Sequence, residues 1–385
     1  MQHRVSRPRK RWTVPLAGAL CFGAGIFVAV AVSSVWPAQG RSSPSRSPSR
    51  SPSWASSPST TLPPPAPNNA VGETIEATEP ISDPFVMPTA DLDYMYSSGF
   101  AGTGPNLPLR TFQKIELLGS ASDAMPQSPA WAVRDKALWG PDVRKVGNTY
   151  VMWYTAMWKK TMPTGGLPRC IGWATSSSPY GPFVDPAPAP RICQLDDFGD
   201  IDPRTFVDPS GQEWLHWKSD DNAGNTPQLT RITKFWAQKL ASDGTTLEGS
   251  PTIMYQADKD WEVGTVEAPE MVLDHGHYYL FFSGNSSASE ANGIGLGTCE
   301  GPAGPCQSPY IGPWLGSNMQ GAGPGEISLF QQGGNTWVLY TPHSIYVPFA
   351  APALAVARVA FGPDGPYVAR FNGETAGIAA SSPQK

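Results

Sequence analysis

The sequence has little charge and few side chains of the kind that hold metals. Asp, Glu, Lys and Arg make up 15% of its 385 residues, and there are only five Cys and five His. No C-x-x-C pair occurs and the His are scattered, so the spacings of a structural zinc site are missing. The 42 Pro and 39 Gly exclude a long helical bundle or coiled coil, because both residues weaken helix interiors. Acidic residues are absent from residues 1–72, which hold eight of the 27 Lys and Arg. The rest of the chain therefore carries 19 basic against 32 acidic residues, a net charge of −13. A body so acidic is unsuited to a phosphate backbone, and no nucleic-acid partner is expected.

One long apolar run is present, from Val14 to Val35, behind Arg4, Arg7, Arg9, Lys10 and Arg11. A membrane-spanning helix needs about 20 such residues, and a basic flank stays cytoplasmic. The expectation is a cytoplasmic segment over 1–12 and a signal-anchor over 13–36. A cleaved secretory signal, with Ala29-Val30-Ala31 as its small-residue site, is the alternative. Residues 37–75 are rich in Ser and Pro and read as a disordered linker. Residues 76–380 then form an extracellular domain, anchored by the N-terminal helix, or secreted if that helix is cleaved. Four Cys fall in this domain. Three pairings are possible, and the two local bridges, Cys170–Cys193 and Cys299–Cys306, are the expected ones outside the cytoplasm.

The domain repeats itself. The runs GNTYVMWYT from Gly147, GQEWLHWKS from Gly211, GHYYLFFSG from Gly276 and GNTWVLYTP from Gly334 each open on a turn Gly. Aromatic and β-branched residues fill them, as in strands. A weaker copy, DYMYSSG, starts at Asp93, and IGWATSSSPYGPF from Ile171 matches IGLGTCEGPAGPC from Ile294 as a third strand followed by a turn. Five copies of a unit of about sixty residues, all strand and turn, predict an all-β, five-bladed β-propeller.

The repeat also marks candidate chemistry. Counting back eleven or twelve residues from the aligned aromatic reaches Asp83, Trp139, Asp202, Glu267 and Glu326; Asp142 lies three residues beyond Trp139. Equivalent positions on successive blades converge on the propeller axis, so several carboxylates are expected in one small space. Like charges there raise one another's pKa. One carboxyl kept protonated beside one kept ionised is the arrangement that cleaves glycosidic bonds. Asp83-Pro84 and Asp202-Pro203 are also ordinary turn dipeptides, and Trp139 serves equally as a sugar platform or a core residue.

The strings SDPF at Ser82, LWGPDV at Leu138, IDPRTFVDPSG at Ile201, WKSDDN at Trp217 and VEAPE at Val266 resemble, in order and spacing, the motifs of glycoside hydrolase family 43. The resemblance spans residues 80–345. It implies an inverting hydrolase of arabinofuranosyl or xylosyl linkages in polysaccharides or oligosaccharides, arabinan-type substrates first, that needs no cofactor. Carried over by motif, Asp83 resembles the general base, Glu267 the general acid and Asp202 the carboxylate that tunes the acid. Glu270 is a rival acid three residues along. Trp139, Asp142 and His343 are candidate substrate contacts. Where the family often shows G-P-G-H in the last blade, this chain has Gly323-Pro324-Gly325-Glu326, so a central metal is in question; Glu326 is a hard oxygen ligand suited to a structural calcium ion. A monomer is expected. The reading of a different class is a propeller that binds glycan at the cell surface without cutting it.

Overall fold

The computed structural model describes residues 73–369, apart from residues 76, 78, 79, 91, 103, 114, 135, 164, 225–230, 318–321 and 344–353. The expected cytoplasmic segment, the apolar helix and nearly all of the linker lie outside the described residues.

Strand β1 (Glu73–Ile75) takes the last three residues of the expected linker. The rest of the domain is five antiparallel sheets in chain order. Blade 1 holds β2 (Phe85–Met87), β3 (Asp93–Tyr96), β4 (Pro108–Gln113) and β5 (Glu116–Asp123). Blade 2 holds β6 (Leu138–Val146), β7 (Thr149–Met157) and β8 (Arg169–Ser176). Blade 3 holds β9 (Asp200–Val207), β10 (Glu213–Ser219), β11 (Lys234–Leu240) and β12 (Leu247–Gln256). Blade 4 holds β13 (Val266–Asp274), β14 (His277–Gly284), β15 (Gly293–Cys299) and β16 (Cys306–Gln307). Blade 5 holds β17 (Ala322–Gln332), β18 (Asn335–His343), β19 (Leu354–Gly362) and β20 (Gly365–Ala369). Among the described residues there is no α-helix. The first strands β2, β6, β9, β13 and β17 touch one another in that order, and β17 returns to β2. The ring is closed by β1, which pairs antiparallel with β19.

The Gly-led runs are the second strands β7, β10, β14 and β18, with DYMYSSG supplying β3. Their nearly unbroken hydrophobicity has a plain cause. Alternate side chains of a strand point to opposite faces, and each blade is covered on both faces by its neighbours. Met152 and Tyr154 of β7 pack with Leu109 and Tyr96 of blade 1, whereas Val151 and Trp153 pack with Leu215 and Trp217 of blade 3. Leu280 and Phe282 of β14 face blade 3, and Tyr279 and Phe281 face blade 5. Trp337 and Leu339 of β18 close the circuit against Val86 and Met95 of blade 1. Fully burying one such aliphatic or Phe side chain contributes about 1.5–3 kcal/mol, so the core is a ring of five inter-blade seams. The two local disulfides, Cys170–Cys193 and Cys299–Cys306, are both formed.

Candidate active site

Each blade has a residue in the left-handed region in or just ahead of its first strand: Asp83 (φ 44°), two residues before β2, then Gly140 (φ 56°), Asp202 (φ 54°), Ala268 (φ 51°) and Glu326 (φ 50°) within β6, β9, β13 and β17. In four blades a bulge in the first strand's pairing accompanies it. Bulges re-aim side chains and are common beside active sites. At four of the five, Pro follows. The left-handed residue turns its backbone N–H towards the preceding blade, where a side chain accepts it. Gly140 N donates to Ser98 Oγ (3.0 Å), Asp202 N to Thr155 Oγ1 (3.2 Å) and Glu326 N to Ser283 Oγ (2.8 Å). Ala268 N donates to Asp202 Oδ2 (3.2 Å), and Asp83 N to Glu326 Oε2 (3.2 Å). Five hydrogen bonds thus run around the axis, one per seam.

This corrects the counting register. Asp83, Asp202 and Glu326 are equivalent, but Glu267 is one residue early; Ala268 occupies its blade's left-handed position, as Gly140 does in blade 2. Glu267 corresponds instead to Trp139, the residue before Gly140. The cause is the hairpin that joins the first two strands: Trp214 pairs with Phe206, eight residues back, but Tyr279 pairs with Val272, seven back, so an equal count of twelve lands one residue earlier in blade 4.

Asp83, Trp139, Asp202, Glu267 and Glu326 line one pocket of about 120 Å³, with Ile201, Ala268, Ser283 and Ser287. Asp142 does not line it. That carboxylate is buried and accepts from Thr205 N (3.0 Å) and Thr205 Oγ1 (2.7 Å), tying blade 2 to blade 3. His343 ends β18 opposite Ala322, and its side chain is not among those described. The rival acid Glu270 is paired with buried Arg204, Oε1 to Nε 2.8 Å, and its burial above all pushes its pKa up to about 7. Arg204 also donates to Pro141 O and Pro203 O and lies over the Phe85 ring, so it bridges four blades close to the pocket carboxylates.

The electrostatics of the two candidate roles differ. Burial raises the pKa of Glu267; Asp202 and Glu326 raise it further, while Lys218 and Arg169 oppose them. Asp83 is pushed well up, first by burial, then by Glu326 and Asp202, against the hydroxyl of Ser98 and the charge of Arg204. Ser98 donates to Asp83 Oδ2 while accepting from Gly140 N, which fixes that carboxylate on the seam. Glu326 Oε2 accepts from Ser82 Oγ (3.0 Å) and Thr341 Oγ1 (2.8 Å) as well as from Asp83 N. A carboxylate oxygen engaged by three donors is poorly placed to ligate calcium. Among the described residues no group of three or more His, Cys, Asp or Glu is arranged to hold a metal ion. Glu326 Oε2 thus serves the ring as a hydrogen-bond acceptor.

Sequence reasoning missed Ser98, Thr155 and Ser283, which lie near the ends of the second strands and receive the seam hydrogen bonds. Their signal was a hydroxyl residue in the copies YSSG, YTAM and FSGN. It also passed over Lys218, inside the WKSDDN string.

The family model described as Glycosyl hydrolases family 43 matches residues 77–366. The chain is 24% identical over 205 residues to extracellular endo-alpha-(1->5)-L-arabinanase 1 of Bacillus subtilis (strain 168), an alignment covering 52% of this chain and 55% of that protein. The chain thus spans about half the length of that curated relative. Among solved structures, it is similar to a thermostable family-43 glycoside hydrolase with a TM-score of 0.66 and 26% identity, covering 77% of this chain and 95% of the other. A structure titled endo-1,4-beta-xylanase from Bacteroides thetaiotaomicron VPI-5482 has a TM-score of 0.62 at 20% identity, covering 79% and 96%.

Proposed function

The chain belongs to glycosyl hydrolases family 43, and from that premise we propose that it is an inverting glycosidase that hydrolyses arabinofuranosyl linkages, xylosyl linkages being the second choice. The observation that carries the reading is that Asp83, Asp202 and Glu267 share one pocket with an aromatic side chain, Trp139, at its wall. Glu267 gives its proton to the leaving oxygen, a role favoured by burial and by two neighbouring carboxylates that keep it protonated. Asp83 takes a proton from a water on the opposite face of the sugar; burial, Glu326 and Asp202 push its pKa well up against the Ser98 hydroxyl and the Arg204 charge, so it serves as base only at a pH high enough to ionise it. Asp202 acts on Glu267 by like-charge repulsion. The arabinanase likeness favours arabinan over xylan as substrate. The two disulfides favour an oxidising compartment, in keeping with a domain displayed outside the membrane on residues 13–75.

The test is hydrolysis of a panel of arabinan, arabinoxylan, xylan and aryl glycosides, with NMR of the first-formed sugar. The expected product is the anomer opposite to the substrate; retention overturns both roles. Glu267→Gln should lose about 10²–10⁴-fold on the polysaccharide and far less on an aryl glycoside, whose leaving group needs little protonation. Asp83→Asn should be poor on both, because the water always needs its base. Binding without hydrolysis of any panel member would instead make the domain a glycan-binding module.

A further inference from the structure

Behind the pocket wall, against Glu267, lies a positive charge that neither proton transfer uses. The side chain of Lys218, in β10, is fully out of solvent. Lysine is almost never so buried unless it is paired. Its ammonium reaches three oxygens: Asn222 Oδ1 at 2.9 Å, Glu267 Oε1 at 3.5 Å and Asp220 Oδ1 at 3.6 Å. Asp220 takes part of that charge, since Lys218 and Arg169 both oppose the effect of its burial, but both its oxygens are already held by Arg169 through Nε and Nη2. Two cations therefore share one structural carboxylate, and the carboxyl left to answer the second cation is Glu267.

An ammonium offers only donors. A proton on Glu267 Oε1 would point at N–H bonds, so the proton belongs on the other oxygen. Building on the glycosidase reading, we propose that Lys218 is a positioning residue for the general acid: it anchors Glu267 Oε1 at the pocket wall and leaves Oε2 to carry the proton to the scissile oxygen. The same charge bounds the reaction from the alkaline side. Glu267 is faced by Asp202 from β9 and Glu326 from β17, which favour its protonated form, and by Lys218 from β10 and Arg169 from β8, which favour the ionised form. Without Lys218 the balance tips towards protonation.

The experiment is the pH profile of kcat/KM for Lys218→Met and Lys218→Arg, on whichever panel polysaccharide the unaltered chain hydrolyses and on an aryl glycoside. At the alkaline pH where the unaltered chain has fallen tenfold from its maximum, Lys218→Met should keep most of its own maximum. That maximum should be lower by about tenfold to a hundredfold on the polysaccharide, and little changed on the aryl glycoside. Lys218→Arg should return the alkaline limb towards its original place. Should Lys218→Met fail to fold, Asn222→Asp decides, because Asn222 is partly exposed and the change is isosteric. The added carboxylate neutralises the ammonium and should move the alkaline limb up. An unmoved limb in the folded variant overturns the proposal while leaving the glycosidase intact; no hydrolysis by the unaltered chain overturns the underlying reading, and the proposal with it.

Discussion

At the scale of single residues, the site is a negotiation among four carboxyl groups over a small number of protons. Asp83 is useful as a base only when ionised, yet burial, Glu326 and Asp202 all oppose its charge. Activity should therefore disappear on the acid side at a higher pH than for an exposed carboxylate. Glu326→Gln tests this directly. It keeps an oxygen for Ser82, Asp83 N and Thr341 but removes a negative charge, so Asp83 ionises more readily and the acid limb of kcat/KM should move to lower pH. An unmoved limb, or one moved upward, would show that Glu326 does not govern the base. The sequence disclosed these acids through the repeat, because a propeller brings equal positions together. It did not disclose that Glu267 sits one residue off that position, nor the work of Ser98 and Lys218. Those depend on where each hairpin turns and on contacts with the neighbouring blade, neither of which a count along the chain can read.

At the scale of elements, the second strands were the most legible part of the fold, since burial on both faces writes an uninterrupted aromatic and β-branched run. Strand β1 was illegible: three residues, Glu73–Ile75, at the end of a Ser/Pro-rich stretch gain their structure only from β19. The outer edge of blade 2 was equally hidden, being completed after β8 by isolated bridges at Val184 and Ile192 rather than by a strand. The strands also carry a pH sensitivity of their own. His216 in β10 is buried against Phe206, with Nε2 donating to Pro302 O across the seam to blade 4, and its Nδ1 has no partner. Burial lowers its pKa to about 4. A depressed histidine contributes stability above its unfolded pKa and loses it as pH falls through the folded value. Between pH 6.5 and 4 this seam should lose roughly 3 kcal/mol. Urea unfolding of the unaltered chain and of His216→Gln at pH 7 and pH 4.5 reads the difference. Equal pH dependence in the two would refute the assignment.

At the scale of the whole molecule, a ring of sheets is only as firm as its last seam, here closed by β1 on β19. Ile75 lies in the core shared by blades 5 and 1, with Ile81, Val86, Phe330 and Leu354. Ile75→Ala should cost about 2–5 kcal/mol, seen as a lower urea midpoint; a loss within about 0.5 kcal/mol, the ordinary range for a surface substitution, would mean that the ring closes without this strand. The hydrogen bonds around the axis have another consequence. Asp202 and Glu326 are at once tools and mortar, since each also accepts the N–H that joins its blade to the next. Glu267 has no place in that circuit. An inactivated version meant to hold a glycan, for capture or for co-crystallisation, is therefore best made at Glu267, where chemistry can be silenced while the ring stays sealed.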